Sequence, residues 1–253
     1  MTNGVTWAIA WRSLKLIPRI PSTFIPSILM PVVFVTALVG LYSGLVNVPG
    51  FPADKAIDWF LPFTLLQGGA FAGITTGMGV ARDLESGFYD RLLASPASRR
   101  SLLAGPIVAA MFRALIPGTF MVIAALVGRA SFPGGAVGIA TSAVALLGIA
   151  MAGGAWSLFI ALKFKTQQSA PIMQVGLFLT MFLSTGQMPL TLLSGWLHTV
   201  ASINPLTQIL ALAREGFLGP VTWSGTWPGL VAIVGLCTFL ILIATRAMRK
   251  VIP

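Results

Sequence analysis

Charge is what this sequence has least of. Of 253 residues, 9 % are Asp, Glu, Lys or Arg, and only 6 are acidic. A water-soluble chain of this size needs far more charge to cover its surface, so a soluble enzyme and a disordered regulator are excluded. Cysteine is scarce too: Cys237 stands alone, which rules out an intramolecular disulfide and with it the small secreted scaffold. With one histidine besides, no His/Cys cluster has metal-ligand spacing. No GxxxxGK[ST] stretch occurs, so the chain has no P-loop with which to cradle nucleotide phosphates. Asp83 and Glu85 lie close together among arginines and read as a solvated, charge-balanced face rather than an acid/base pair. No residue is assigned to catalysis, to a cofactor or to a metal.

Apolar residues are abundant, at 56 % of the chain. A membrane span needs about 20 predominantly apolar residues. Stretches without an ionisable residue run from Ile20 to Ala53, Trp59 to Ala81, Ala130 to Leu162, Thr166 to Ala213 and Gly216 to Thr245. A sixth candidate from Pro106 to Gly128 contains Arg113, two turns inside one end, where its long side chain is expected to snorkel to the interface. These stretches predict an all-α polytopic membrane protein with spans at 25–47, 59–81, 106–128, 137–162, 170–190 and 229–246. When the loops are assigned alternately to the two sides, 13 of the 16 Lys and Arg fall on one side, leaving only Lys55, Arg129 and Arg214 on the other. The positive-inside rule then puts both termini in the cytoplasm. A seventh span within 191–213 would weaken that bias to 11 against 5. Gly195, His198, Asn204 and Pro205 also break that segment, so 191–228 reads as a re-entrant or interfacial hairpin in the outer leaflet.

The net charge of +10 is spread over the ends of the apolar stretches rather than gathered in one patch, which favours anionic lipid headgroups over nucleic acid as its partner. Near the N-terminus, Trp7, Trp11 and Leu14 recur at helical spacing beside a stripe of Arg12, Lys15 and Arg19. Residues 1–24 are therefore expected to form an amphipathic interfacial helix leading into the first span.

Residues 82–105 form the most informative loop. Leu84, Phe88 and Leu92 share one helical face behind Asp83 and Glu85, while Ser95-Pro96 supplies a helix start. An exposed Phe-Tyr-Leu face rimmed by charge is expected to dock a partner protein; the plainer reading packs it beneath its own bundle. In the second span, Gly69, Gly73 and Gly77 make a small-residue ridge suited to close helix approach. Phe178, Met181, Phe182 and Met188 offer a soft wall to hydrophobic cargo, although core packing is the simpler role.

The stretch from Glu85 through Gly87, Phe88, Tyr89, Asp90, Arg91, Leu92, Leu93, Ser95-Pro96 and Arg99 resembles the cytoplasmic loop of ATP-binding-cassette type-2 transport permeases, especially the daunorubicin-resistance-like branch. In that family an E-x-G-x-x-[DE]-R-L-x-x-[ST]-P-x-S-R pattern forms the coupling helix. The resemblance implies docking roles for Glu85, Gly87, Asp90, Arg91, Leu92, Pro96 and Arg99, with Phe88, Tyr89 and Leu93 in the same helix. The stretch Trp196 to Arg214 is similar to the family's outer hairpin, with Asn204, Pro205, Leu206, Thr207 and Arg214 matching. Gly105-Pro106 departs from the family's usual glycine followed by a basic residue. The resemblance covers the whole chain and implies a single membrane domain, 1–253, in the cell membrane of a bacterium. It also implies a second permease subunit, identical or homologous, and a separate ATPase subunit holding ATP and Mg²⁺. The cargo would be hydrophobic or amphipathic, drug or lipid-like. A polysaccharide or glycolipid exporter, for which two tyrosines are few, and an ATPase-independent carrier or scaffold are the alternatives.

Overall fold

The computed structural model describes residues 2–15, 21–93 and 98–251, all of them helical or in short connections. In chain order the helices are α1 (Thr2–Lys15), α2 (Pro21–Leu41), α3 (Ala56–Glu85), α4 (Phe88–Leu93), α5 (Arg99–Val127), α6 (Gly135–Phe164), α7 (Ala170–Phe182), α8 (Gly195–Ile203), α9 (Pro205–Leu218) and α10 (Trp223–Val251).

Helix α3 is the axis of the bundle. Its 30 residues extend about 45 Å at 1.5 Å per residue, and α2, α5, α6, α7 and α9 all pack on it. Phe60, Phe63, Ala70 and Ile74 on it are almost wholly enclosed. Gly69, Gly73 and Gly77 face α6 of the same chain: a methyl group added at Gly73 would lie 2.5 Å from Gly154 N, one at Gly69 would meet Leu146 and Ile149, and one at Gly77 would collide with Ser157. The close approach lets Ser157 Oγ donate to the Gly73 carbonyl at 2.9 Å, satisfying a hydroxyl that would otherwise be costly at membrane depth.

By length and composition α5, α6 and Trp223–Arg249 of α10 are apolar enough to cross a membrane. Helix α3 falls short of them in hydrophobicity because, buried among other helices, it can carry Thr64, Gln67 and Thr76 without presenting them to lipid. Helices α3, α5, α6 and α10 enclose the expected segments 59–81, 106–128, 137–162 and 229–246 to within one residue. Two other boundaries need correction. The expected span 25–47 stops being α-helical at Leu41, and Ser43–Asn47 tightens into a 3₁₀ turn. The expected span 170–190 is helical only to Phe182, about 20 Å of rise against a hydrocarbon core of about 30 Å. Beyond it the chain turns and Ser184, Thr185 and Gly186 are buried.

Arg113 also departs from expectation. Instead of snorkelling outward it is 9 % exposed, donating to the Ser13 carbonyl of α1 and, at 3.4 Å, to Thr76 Oγ1 of α3. Helix α1 is thereby fastened to the bundle, and Gly105 of α5 lets Ile9 approach where a Cβ would lie 2.7 Å from it. Trp7 and Trp11 stay half exposed. Arg19 lies outside the described residues.

Candidate functional site

Two constellations occupy opposite ends of α3. At its C-terminal end, Gly87 turns the chain from α3 into α4 with φ of +67°, a left-handed conformation that glycine adopts without a Cβ penalty. Helix α4 is then tied to its surroundings by side chains from three directions. Arg12 of α1 forms a bidentate pair with Asp83, 2.6 and 2.9 Å, and its guanidinium lies 4.1 Å from the centre of the Phe88 ring. The carboxylate raises the Arg12 pKa above its ordinary value, chiefly through those hydrogen bonds. Tyr89 is buried, its hydroxyl 4.0 Å from Met248 Sδ of α10, and burial pushes its pKa upward. Glu85 meets the turn between α6 and α7. It accepts from Thr166 Oγ1 at 2.7 Å, Gln167 N at 2.8 Å and Gln167 Nε2 at 2.5 Å, and these bonds hold its carboxyl below the usual range.

The expected exposed Phe-Tyr-Leu face is therefore corrected. Tyr89 is enclosed, Phe88 is half-buried under Arg12, and Leu84 and Leu92 pack against the core. Isolated apolar side chains beside a membrane bundle find cover more readily within it than in water. Among the described residues of this region, Arg91, Arg99 and Arg100 are exposed cations. Pro96 lies outside the described residues, as do the side chains of Asp90 and Leu93. The N-cap of α5 is Ser98, whose hydroxyl accepts from Ser101 N at 3.2 Å; the expected helix start at Ser95-Pro96 lies outside the described residues.

At the other end, α8 and α9 form the hairpin, and Asn204 is its joint. Its Oδ1 accepts from Leu206 N at 3.0 Å and caps α9, with Pro205 at the first helical position. Its Nδ2 donates to Thr180 and Leu183 carbonyls, 2.7 and 3.0 Å, satisfying the open end of α7. Leu206 is buried, and Thr207 Oγ1 donates to the Ala201 carbonyl at 2.6 Å, tying α9 to α8. Each member of the Asn-Pro-Leu-Thr sequence thus has a separate structural task.

Arg214 of α9 is 2 % exposed and reaches into the bundle. It donates to the Trp59, Thr185 and Gly186 carbonyls at 3.0, 2.7 and 2.6 Å, with its guanidinium 3.6 Å from the Trp59 ring centre. Sequence reasoning placed it in the outer loops and missed this burial, along with the partners Arg12, Trp59, Met248, Thr166 and Gln167. No local pattern signals contacts between residues so far apart in the chain. Between the two ends, Phe63 packs edge-on against Phe182, and Phe71 against Phe178. Gln67 lies one turn from each of those α3 phenylalanines, 1 % exposed, and its amide has no hydrogen-bond partner among the described residues. Met181 is buried in the same packing and Met188 half-buried.

Comparison with known proteins agrees with this architecture. Residues 4–218 match the ABC-2 type transporter family. Over 210 residues, 80 % of this chain and 70 % of the relative, the sequence is 28 % identical to a protein of Porphyra purpurea named as a transport permease, ycf38. It is 26 % identical over 226 residues to the ycf38 protein of Pyropia yezoensis, covering 87 % of this chain and 75 % of that one. It is also 29 % identical over 173 residues to YbhR of Escherichia coli K12, named as a multidrug ABC transporter permease. That match spans 62 % of this chain and 44 % of YbhR. With the family model covering most of its length and apolar helices long enough to cross a bilayer, the chain is a multi-pass membrane protein that belongs to the ABC-2 type transporter family.

Proposed function

We propose that the chain is the permease subunit of an ATP-driven exporter, crossing the cell membrane six times with both termini in the cytoplasm and working as a homo- or heterodimer with two ATPase subunits. The observation that carries this reading is the way α4 is held: Arg12, Tyr89 and Glu85 link it or its flanking turn to α1, α10 and the α6–α7 connection. Force applied to α4 would reach three parts of the bundle at once. The exposed Arg91, Arg99 and Arg100 supply a cationic surface for an acidic patch on the ATPase, which would bind ATP and Mg²⁺. Docking rests on these arginines with Glu85, Gly87 and Asp90, while Phe88, Tyr89 and Leu92 serve from beneath by fixing the helix.

ATP-driven closure of the ATPases would push α4 and rock the bundle between two access states. Rocking that parts α3 from α7 would uncover the Phe63–Phe182 and Phe71–Phe178 contacts with the Gln67 amide between them, a surface suited to amphipathic cargo. Low charge within the apolar helices suits a lipid-like or drug-like molecule better than an ion.

Co-purification from the native membrane in mild detergent tests the proposal. Wild type should bring down a nucleotide-binding chain with ATPase activity, and Arg91→Glu with Arg99→Glu should lose it while remaining folded in the membrane. The substitutions fall on exposed arginines because Leu92 packs on the core, where a change would disturb the fold as well as docking. Purification of a well-folded wild type alone, without ATPase activity, would replace this reading with a carrier or scaffold.

A further inference from the structure

Beside the start of α3, α9 and α10 border an open cavity of about 520 Å³. Its wall includes Trp59, Thr185, Gln208, Ala211, Arg214 and Glu215, and most of its lining surface is apolar. Arg214 brings a full positive charge into that wall while almost entirely buried. A guanidinium has five N–H donors, and three carbonyls are bonded to it. Carbonyl dipoles and the Trp59 ring compensate part of the charge, but no carboxylate lies within ion-pairing distance among the described residues. The neighbouring Glu215 is engaged elsewhere, accepting from Thr222 N and Oγ1 at 2.7 and 2.8 Å and from Thr226 Oγ1 at 2.8 Å. A buried charge without an opposite charge is costly, and an anionic ligand group at this wall would offset that cost.

The height of the cavity narrows the ligand. Trp223 and Trp227, 73 % and 47 % exposed, stand at the start of α10 beside the cavity residue Gly225, and Trp196 of α8 is 70 % exposed. Exposed tryptophans gathered at one end of a membrane bundle mark the headgroup level of the bilayer. We propose that this cavity binds the phosphate-bearing headgroup of a lipid-like amphiphile, with Arg214 as the counter-charge and the apolar wall holding the first part of the tail. A planar guanidinium suits phosphate because its parallel N–H groups match two oxygens. The inference deepens the proposed export of amphipathic cargo by naming its headgroup, but binding is measured without the ATPase.

The experiment uses the full chain purified in dodecyl maltoside, whose neutral sugar head is the background. Lauroyl lysophosphatidylglycerol is titrated in and bound copies are counted by native mass spectrometry. We expect saturable binding, weakened roughly tenfold or more in Arg214→Gln, the worth of one charge-assisted hydrogen bond. Arg214→Lys should recover part of it. Ala211→Trp, which fills the cavity and leaves Arg214 in place, should abolish it and decides the matter if Arg214→Gln fails to fold. Three results would overturn the proposal: unchanged binding in Ala211→Trp, equal binding of dodecyltrimethylammonium, or displacement of the amphiphile by an equal concentration of inorganic phosphate. Loss of the site alongside intact ATPase co-purification refutes only the headgroup inference, whereas intact binding without an ATPase refutes only the permease reading.

Discussion

Gly73→Ala adds one methyl group at the tightest crossing in the bundle, and its cost can be worked from the contacts. The new carbon would lie 2.5 Å from Gly154 N and 2.6 Å from the Gly153 carbonyl carbon. Ordinary contacts between such atoms are about 3.5–4.0 Å, so α6 would have to withdraw by about 1 Å. Both neighbours are backbone, and no rotamer change can relieve the clash. Overpacking of this kind costs about 1–3 kcal/mol. Withdrawal would also stretch the bond from Ser157 Oγ to the Gly73 carbonyl, worth about 0.5–1.5 kcal/mol. Against these, alanine is better than glycine inside a helix by about 1 kcal/mol. The net expectation is destabilisation by about 1–3 kcal/mol. Gly79 supplies the control within the same helix: a methyl group there meets nothing within 4 Å, so only the favourable helix term acts. The two variants then differ by about 2–4 kcal/mol, and at about 2–4 °C per kcal/mol for a chain of this size Gly73→Ala should melt about 4–16 °C below Gly79→Ala. Thermal unfolding of the two purified variants in one detergent checks this. Midpoints within a degree of each other would refute the packing argument and the α3–α6 contact behind it.

Asn204→Ala should destabilise the hairpin by about 1–2 kcal/mol, because it removes a helix cap and strands two α7 carbonyls. Asn204→Asp keeps the cap but loses the amide donor, so an intermediate melting point is expected; equal loss in both variants would assign the effect to the α7 carbonyls alone. Gly87→Ala places a Cβ in the left-handed region at a cost of about 1–2 kcal/mol. We expect normal membrane insertion with weakened ATPase co-purification, and unimpaired co-purification would show that the turn has no part in docking. Glu85 gives a pH dependence. Its folded carboxyl is held below the ordinary range, so its contribution is present above the unfolded value and disappears as pH falls through the folded one. Protection of the Gln167 amide from hydrogen exchange, corrected for the intrinsic rate, should therefore persist at pH 7, fall in strong acid and be weak at pH 7 in Glu85→Gln. Equal protection in Glu85→Gln at pH 7 would remove Glu85 from the α6–α7 turn.

Hydrophobic patterning located most of the long elements because the apolar length needed to cross a bilayer is a strong local signal. It did less well where helices end. Ser43-Gly44 and Ser184-Thr185-Gly186 follow the ends of α2 and α7, but small polar residues and glycine carry no charge, so a search for charge-free length ran straight through them. Asn204 and Pro205 were legible as a helix boundary because capping is a local chemistry of one or two residues. The second role of Asn204, closing α7, joins residues more than twenty positions apart and leaves no trace in spacing.

The same limit explains why the arginines were misjudged. In a soluble protein, polarity separates outside from inside, but in a bilayer both the lipid face and the core are apolar, so the pattern along α3 or α10 does not reveal which side is buried. Charged residues then appear to belong at the membrane surface, where Arg113 and Arg214 were placed. In the folded chain Arg113 and Arg214 are enclosed, whereas Arg12 stays partly exposed while pairing with Asp83 and covering Phe88. Their acceptors are mainly backbone carbonyls: Ser13 for Arg113, and Trp59, Thr185 and Gly186 for Arg214. Every residue type carries a carbonyl, so composition cannot disclose such partners. Arg12 has its carboxylate, whereas Arg113 and Arg214 have none among the described residues; what sets Arg214 apart is that it also borders an open cavity. That difference makes the hairpin arginine a candidate for ligand contact and the N-terminal arginine a mechanical link.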